Sequence, residues 1–265
     1  MALHELYRPV AALMARVAAD VVLPRYQNLA AHEISEKAAD DYVTIADKES
    51  EQRLNEGLLE ILPEAGLIGE EACAADPSIL DDAGIGLKWI IDPVDGTGNF
   101  AAGHPPFGII VALVDNGMPL AGWIFDPLSG RVCHAARGGG AFVDEGQVFA
   151  TEANADRPVV ALPVYFLSTE QQAAIAARAG DRFTLVDIPR CAAEQYPRLA
   201  LGQNDIALFE RSHAWDHAAG ALFLNEAGGR LSRRDGSPYL VGGAPGGLIG
   251  ASSPRMWDMA ARYLL

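Results

Sequence analysis

Residues 89–100 read WIIDPVDGTGNF, three apolar residues followed by two acids, a proline and a Gly-Thr-Gly run. Trp89, Ile90 and Ile91 suit a buried strand, which the pattern carries back to Leu87. Asp92 and Asp95 stand three positions apart, and strict strand alternation would send them to opposite faces. Pro93 and Gly96 break that alternation. The expectation is therefore a strand that stops and turns, aiming both carboxylates and the Val94 carbonyl into one space. Oxygen ligands of this kind suit a hard cation such as Mg2+, which keeps water and phosphate in its other positions. Gly96 and Thr97 then offer backbone N–H groups at a helix start, a place for an anion. Cation ligands beside anion-binding amides point to phosphate chemistry.

Other acids also stand where predicted elements meet. Asp47 opens a helix, Glu70 and Glu71 close a strand, and Asp216 opens another helix. Taken singly, each reads as a helix cap or a solvated surface group. Together with Asp92 and Asp95 they read as a converging set.

Helical spacing of Leu3, Leu6, Val10, Leu13, Met14, Val17 and Val21 predicts a helix from residue 3 to about 23, ended by Pro24. The polar stretch at residues 32–47 predicts a loop or hairpin. A helix over 47–62 follows, with Thr44 and Asp47 as caps. Strands are expected at 66–69, 87–91, 107–114, 120–125, 131–136 and 141–143, with a polar connector at 76–84. Asp115-Asn116-Gly117 marks a hairpin, and Gly138-Gly139-Gly140 a tight turn. Beyond residue 150, strands at 159–162, 183–188, 206–209 and 248–251 alternate with helices at 168–179, 192–201 and 215–227. A last helix starts at Ser253-Pro254. The chain thus divides into residues 1–148, an α+β lobe with an antiparallel sheet, and residues 149–265, an α/β lobe.

The 265 residues are half apolar and carry a net charge of −15 with a pI of about 4.7. That surface disfavours a nucleic-acid polymer as partner but admits a small phosphorylated substrate if cations reverse the local sign. No apolar run is long enough to span a membrane. The N-terminus lacks the basic start and unbroken apolar block of a signal peptide, so a cytoplasmic protein is expected. Cys73, Cys133 and Cys191 lack metal-like spacing and read as reduced structural thiols.

WIIDPVDGTGNF resembles the DPxDGTxNF signature of the inositol monophosphatase family, part of a superfamily of lithium-sensitive, Mg2+-dependent phosphatases that includes fructose-1,6-bisphosphatases. IGEEA at 68–72 resembles the family's GEE, VTIAD at 43–47 its VTxAD, and WDHAAGALFLNEAGGRL at 215–231 its WDxAAG…EAGG. The motifs occur in family order over essentially the whole chain.

The resemblance implies a layered αβαβα sandwich and commonly a homodimer. It implies that Glu70, Asp92 and the Val94 carbonyl bind one Mg2+, that Asp92, Asp95 and Asp216 bind a second, and that a third, weaker Mg2+ lies near Glu70. Asp47 and Thr97 would orient and deprotonate an attacking water, with Glu71 in support. The Gly96 and Thr97 amides would hold the phosphate, and Lys37 falls where the family has a lysine near the site.

The chain departs from the inositol-specific pattern at the alcohol-binding wall. Phe209 stands where those members have an acid, and Arg190-Cys191-Ala192 where they have Gly-Thr-Ala. His213 and Asp216 complete the candidate substrate contacts. Phe209 also reads as a core residue, His213 as a structural histidine, and Trp215 as packing beneath its helix. Arg190 and Arg211 read as solvated groups, as dimer contacts, or as a source of positive charge favouring a second anionic group on the substrate. The expected activity is hydrolysis of an inositol-monophosphate-like substrate. Histidinol phosphate, fructose-1,6-bisphosphate and 3′-phosphoadenosine phosphate are alternatives, and a non-catalytic module of the same fold is the alternative of another class.

Overall fold

The computed structural model describes residues 3–38, 41–153 and 156–265. A helical run opens it: a 3-10 turn at Leu3–Leu6, α1 (Tyr7–Val17), a π turn at Ala18–Val22 and a 3-10 turn at Leu23–Arg25 containing Pro24. A hairpin of β1 (Ile34–Ala38) and β2 (Asp41–Thr44) leads into α2 (Ile45–Ile61). Then come β3 (Gly66–Gly69), α3 (Glu70–Ala75), β4 (Leu87–Asp95) and α4 (Thr97–Ala101). A run of strands follows: β5 (Gly108–Asp115), β6 (Met118–Phe125), β7 (Val132–Ala136), β8 (Gly140–Val143) and β9 (Gly146–Val148). The remainder is β10 (Val159–Leu162), α5 (Thr169–Ala179), β11 (Thr184–Asp187), α6 (Ala192–Ala200), β12 (Ile206–Phe209), α7 (Ala214–Glu226), β13 (Arg230–Arg233), β14 (Leu248–Ala251) and α8 (Pro254–Tyr263).

Strands β3 to β9 form one seven-stranded sheet in sequential order, parallel only between β3 and β4. The second sheet has the order β11-β10-β12-β14-β13. Within it β10 runs parallel to both β11 and β12, and β14 runs antiparallel to β12 and β13.

Alternation along the strands builds the layers. Trp89, Ile91, Ile109, Val111 and Leu113 face α1 and α2, whereas Ile90, Ile110 and Ala112 face the middle helices. In the second sheet Ala207 and Phe209 face those same middle helices, and Ile206 and Leu208 join the core formed with α5 and α8. The result is the layered αβαβα arrangement. Helix α7 lies between the sheets and is buried from His217 through Leu224, apolar on every side.

Local chemistry explains several elements. Asn116 and Gly117 both take positive φ, as the two-residue turn between β5 and β6 requires. Thr44 and Asp47 form a reciprocal capping box at the start of α2. The turn at Gly138–Gly140 is held by the Glu226 carboxylate, which accepts the Gly138 and Gly140 N–H groups at 2.8 and 3.0 Å.

Four expectations change, the first being that Glu70 and Glu71 do not simply close a strand but open a helix, α3. The connector at 76–84 contains a 3-10 turn, Pro77–Asp82, and strands β9 and β13 are additional. Most consequentially, β4 does not stop at Asp92. It continues to Asp95 through a bulge, with Asp92 opposite Ile110 and Asp95 opposite Gly108. Three steps on β4 match two on β5, and the extra residue inverts the alternation. Asp92 and Asp95 therefore share a face, the one toward the middle helix layer.

Candidate active site

Three chain segments bring four acids to one cavity of about 380 Å3. Asp92 and Asp95 come from the bulged end of β4, Glu70 from the first residue of α3, and Asp216 from the first turn of α7. One carboxylate oxygen from each of Asp92, Asp95 and Asp216 lies within 4.8 Å of the others. Val94, Gly96, Thr97, Arg190, Cys191, Ala192, Phe209 and His213 line the same cavity.

The carboxylates are held by backbone amides. Ala193 N–H, at the start of α6, donates to Asp95 Oδ2 at 2.6 Å, and Gly96 N–H also bonds that carboxylate. Cys191, the residue before α6, has no side-chain cap to offer, so Asp95 supplies the capping oxygen from another element. Val94 N–H donates to Asp92 Oδ1 at 3.1 Å.

Burial pushes Asp92 and Asp216 well above the usual carboxylate range, and the charges of Glu70 and Asp95 push in the same direction. Arg211 opposes this at Asp216. Burial raises Asp95 to about 6 against the pull of its amides. Buried carboxylates that repel one another are costly without cations. Oxygen-only donors at this spacing fit hard divalent ions, so the residues present suit such a metal.

Asp47 is buried behind the cavity wall and reaches it through Thr97, whose hydroxyl lies 3.0 Å from Asp47 Oδ1 and 2.9 Å from the Val94 carbonyl. Thr44 N–H and Oγ1 donate to Asp47 Oδ2 at 2.8 and 2.6 Å. Burial still raises Asp47 to about 6, with the Glu71 charge adding to it. Glu71 does not line the cavity. Lys37 falls in β1, and its side chain lies outside the described residues.

Sequence reasoning missed Glu51. Its buried carboxylate accepts Glu71 N–H at 2.8 Å and Ala72 N–H at 2.9 Å, capping α3 and so setting where Glu70 points. A Cβ on Gly69 would sit 2.3 Å from that carboxylate, which accounts for glycine there. The available signal was periodicity: Asp47, Glu51, Leu54 and Leu58 share one buried face of α2.

His217 was also missed. It is buried, its Nδ1 lies 2.7 Å from the Tyr196 hydroxyl, and it hydrogen-bonds the Arg211 backbone. Burial lowers it to about 3, so it stays neutral and accepts from Tyr196. Tyr42, Tyr165 and Phe166 join the lining as well. Phe209 is buried, stacked on Tyr196 with centroids 5.4 Å apart, and reaches the cavity by its edge of the core. Trp215 differs from expectation: it lines the cavity, stacked on His213 at 4.9 Å. No described helix is long and apolar enough to cross a membrane.

Comparison with known proteins agrees with this geometry. Residues 3–264 match the inositol monophosphatase family. The chain is 34% identical over 227 residues to the inositol-1-monophosphatase of Mycobacterium leprae, spanning 82% of this chain and 76% of that protein. It is 31% identical over 249 residues to Nus factor SuhB of Haemophilus influenzae, spanning 88% of each. The extragenic suppressor protein suhB of Bartonella henselae superposes with a TM-score of 0.82 over 98% of both chains at 24% identity, a likeness of fold. With the match running nearly end to end and the acids gathered at the ends of β4, α3 and α7, the chain belongs to the inositol monophosphatase family.

Proposed function

We propose that the protein is a Mg2+-dependent phosphomonoesterase acting on a small phosphorylated alcohol. The observation that carries this reading is the convergence of Glu70, Asp92, Asp95 and Asp216 on one cavity beside the Gly96–Thr97 backbone. Glu70, Asp92 and the Val94 carbonyl would hold one cation, Asp92, Asp95 and Asp216 a second, with a third, weaker one near Glu70. Divalent cations there supply charge neutralisation and Lewis-acid polarisation of the phosphate.

The chain's own groups do the rest. Thr97 has one hydroxyl proton and two acceptors in reach, Asp47 and the Val94 carbonyl. When the proton points to Asp47, a lone pair is left to orient a water in the cavity. Asp47, raised to about 6 by burial, is matched to accept a proton near neutral pH. Glu71 adds negative charge behind it. The phosphate would meet the Thr97 amide, whereas the Gly96 N–H, expected to share that role, is bonded to the Asp95 carboxylate. A Cβ on Gly96 would meet the Pro106 carbonyl at 3.0 Å and Cys191 Cβ at 3.2 Å, and its φ of +80° favours glycine independently.

Purified protein in Mg2+ is expected to release inorganic phosphate from at least one small phosphomonoester, and Li+ to inhibit it. The name of the Haemophilus influenzae relative, Nus factor, favours a second reading as a partner in a protein assembly. Folded protein that releases no phosphate from inositol, sugar, histidinol or nucleotide phosphates would support that second reading.

Metal linkage gives a separate prediction. Asp95 has a folded-state value of about 6, above its ordinary 3.8. Protonation there stabilises the metal-free fold at low pH, and this contribution is lost as pH rises through 6. Mg2+ takes the protons' place above that point. At roughly 100 times its dissociation constant it should add ~2.7 kcal/mol at pH 7.5, or about 5–10 °C in Tm. At pH 5 the shift should fall below about a third of that. Equal Mg2+ shifts at both pH values in thermal denaturation would remove the carboxylate cluster as the binding site.

A further inference from the structure

We infer that Arg190 and Arg211 form a second anion-binding station in the same cavity, so that the substrate carries a second phosphate or a carboxylate besides the phosphate that is hydrolysed. The inference rests on the phosphomonoesterase reading above and specifies its substrate class.

The station is built at the C-terminal ends of the three mutually parallel strands of the second sheet. The turn after β10 presents Tyr165 and Phe166, both half-exposed. The loop after β11 presents Arg190, and the loop after β12 presents Arg211. β10 lies between β11 and β12, so each flanking loop sends one arginine to the central turn. The Arg190 guanidinium lies 3.9 Å from the Tyr165 ring centroid, and that of Arg211 lies 4.5 Å from the Phe166 centroid. All four residues line the cavity that holds the acidic cluster. The carboxyl ends of parallel strands are where open α/β sheets bind ligands.

Charge and geometry both select an anion. A guanidinium lying over a ring is steadied by it, and its five N–H donors can grip a phosphate or carboxylate in two-point fashion. Neither arginine is within ion-pairing distance of a described carboxylate, and the neighbouring Glu210 is paired with Arg234 instead. In a chain of net charge −15, the two arginines concentrate positive charge on one side of the cavity, and the Arg211 charge reaches as far as Asp216. Arg190 also holds a φ of +55°, a conformation unfavourable for a long side chain. The adjacent Pro189 carbonyl is pinned by the Asn99 side chain at 3.1 Å, which ties this loop to the metal-ligand segment. Phe209, a core residue that also lines the cavity, offers no hydrogen bond to a polyol. The cavity, at about 380 Å3, has room for a small skeleton bearing charge at both ends.

The test uses one skeleton with three groups at carbon 6. In Mg2+, kcat/KM is measured for glucose 1-phosphate, glucose 1,6-bisphosphate and glucuronic acid 1-phosphate. The wild-type protein is expected to prefer at least one doubly charged substrate over glucose 1-phosphate by about tenfold or more. Which of the two it prefers separates a second phosphate from a carboxylate. In the double variant Arg190→Gln, Arg211→Gln that ratio should fall to within about threefold of one. Lysine at both positions should restore part of it. A wild-type ratio near one, or a ratio unchanged in the double variant, would overturn the station while leaving the phosphatase reading intact. Absence of phosphate release from all three, together with the wider panel, would overturn both.

Discussion

Asp95→Asn is expected to lower kcat by about a thousandfold or more at saturating Mg2+, equivalent to ~4 kcal/mol of lost transition-state stabilisation. Asp95 has one oxygen engaged by Ala193 N–H at 2.6 Å and belongs to the group of three acids whose oxygens approach within 4.8 Å. Asparagine can still accept the amide through its single carbonyl oxygen. It then turns an NH2 group, a donor without charge, toward the place where Asp92 and Asp216 converge. A cation there loses one of its anionic partners and faces a donor instead. The fold should not suffer. Burial is the main force raising Asp95 at present, so removing its charge relieves a cost in the metal-free protein. Phosphate release and thermal denaturation in the same buffers check both halves. The expected pair is a large loss of turnover with a metal-free Tm at pH 7.5 no lower than wild type. Retention of wild-type turnover would take Asp95 out of the site.

The second large effect falls on the fold. Gly220→Ala should destabilise the protein by about 3 kcal/mol or more, at the upper end of the overpacking range, lowering Tm by roughly 6–12 °C. A Cβ on Gly220 would sit 2.0 Å from the Tyr196 ring. That ring cannot step aside, because it is fully buried, stacked on Phe209 and bonded through its hydroxyl to His217. Helix α7 cannot shift away either. Its other side meets the first sheet, where a Cβ on Gly122 would already lie 2.7 Å from the Ala219 Cα. Small residues on both sides of α7 set the distance between the two sheets, and Asp216 rides on that helix. Loss of stability should therefore come with weaker Mg2+ activation. A variant as stable as wild type would show that α7 has slack that these contacts deny it.

Much of the architecture is legible in the sequence because it depends on short-range signals. Asn116-Gly117 places the β5–β6 hairpin, and Ser168 and Ser253 cap helices where expected. The metal-ligand candidates are legible for the same reason, since each acid stands at a strand or helix end. What was not legible depends on partners far away in the chain. Glu51 reaches amides 20 and 21 positions on, and Asp95 reaches one 98 positions on. Tyr165 and Phe166 look like ordinary apolar residues of a turn until β11 and β12 bring arginines to their faces. Strands β9 and β13 are short and partly polar, so alternation does not mark them. The proline-led turn after Asp92 was the reverse error: the local signal was real, but pairing with β5 absorbed it as a bulge.

That bulge makes the strand a counting device. Between the positions opposite Ile110 and Gly108, the β4 segment holds an odd number of steps where its neighbour holds an even one. Deleting Val94 would restore the match in length and, with it, ordinary alternation across the ladder. Positions two apart on an ordinary strand also share a face, so the two aspartates would stay side by side; what the deletion removes is the Val94 carbonyl, which lies 2.9 Å from the Thr97 hydroxyl. The extra unit of the bulge thus serves the carbonyl it brings to the turn and not the pairing of the acids, a form of constraint written in the number of peptide bonds.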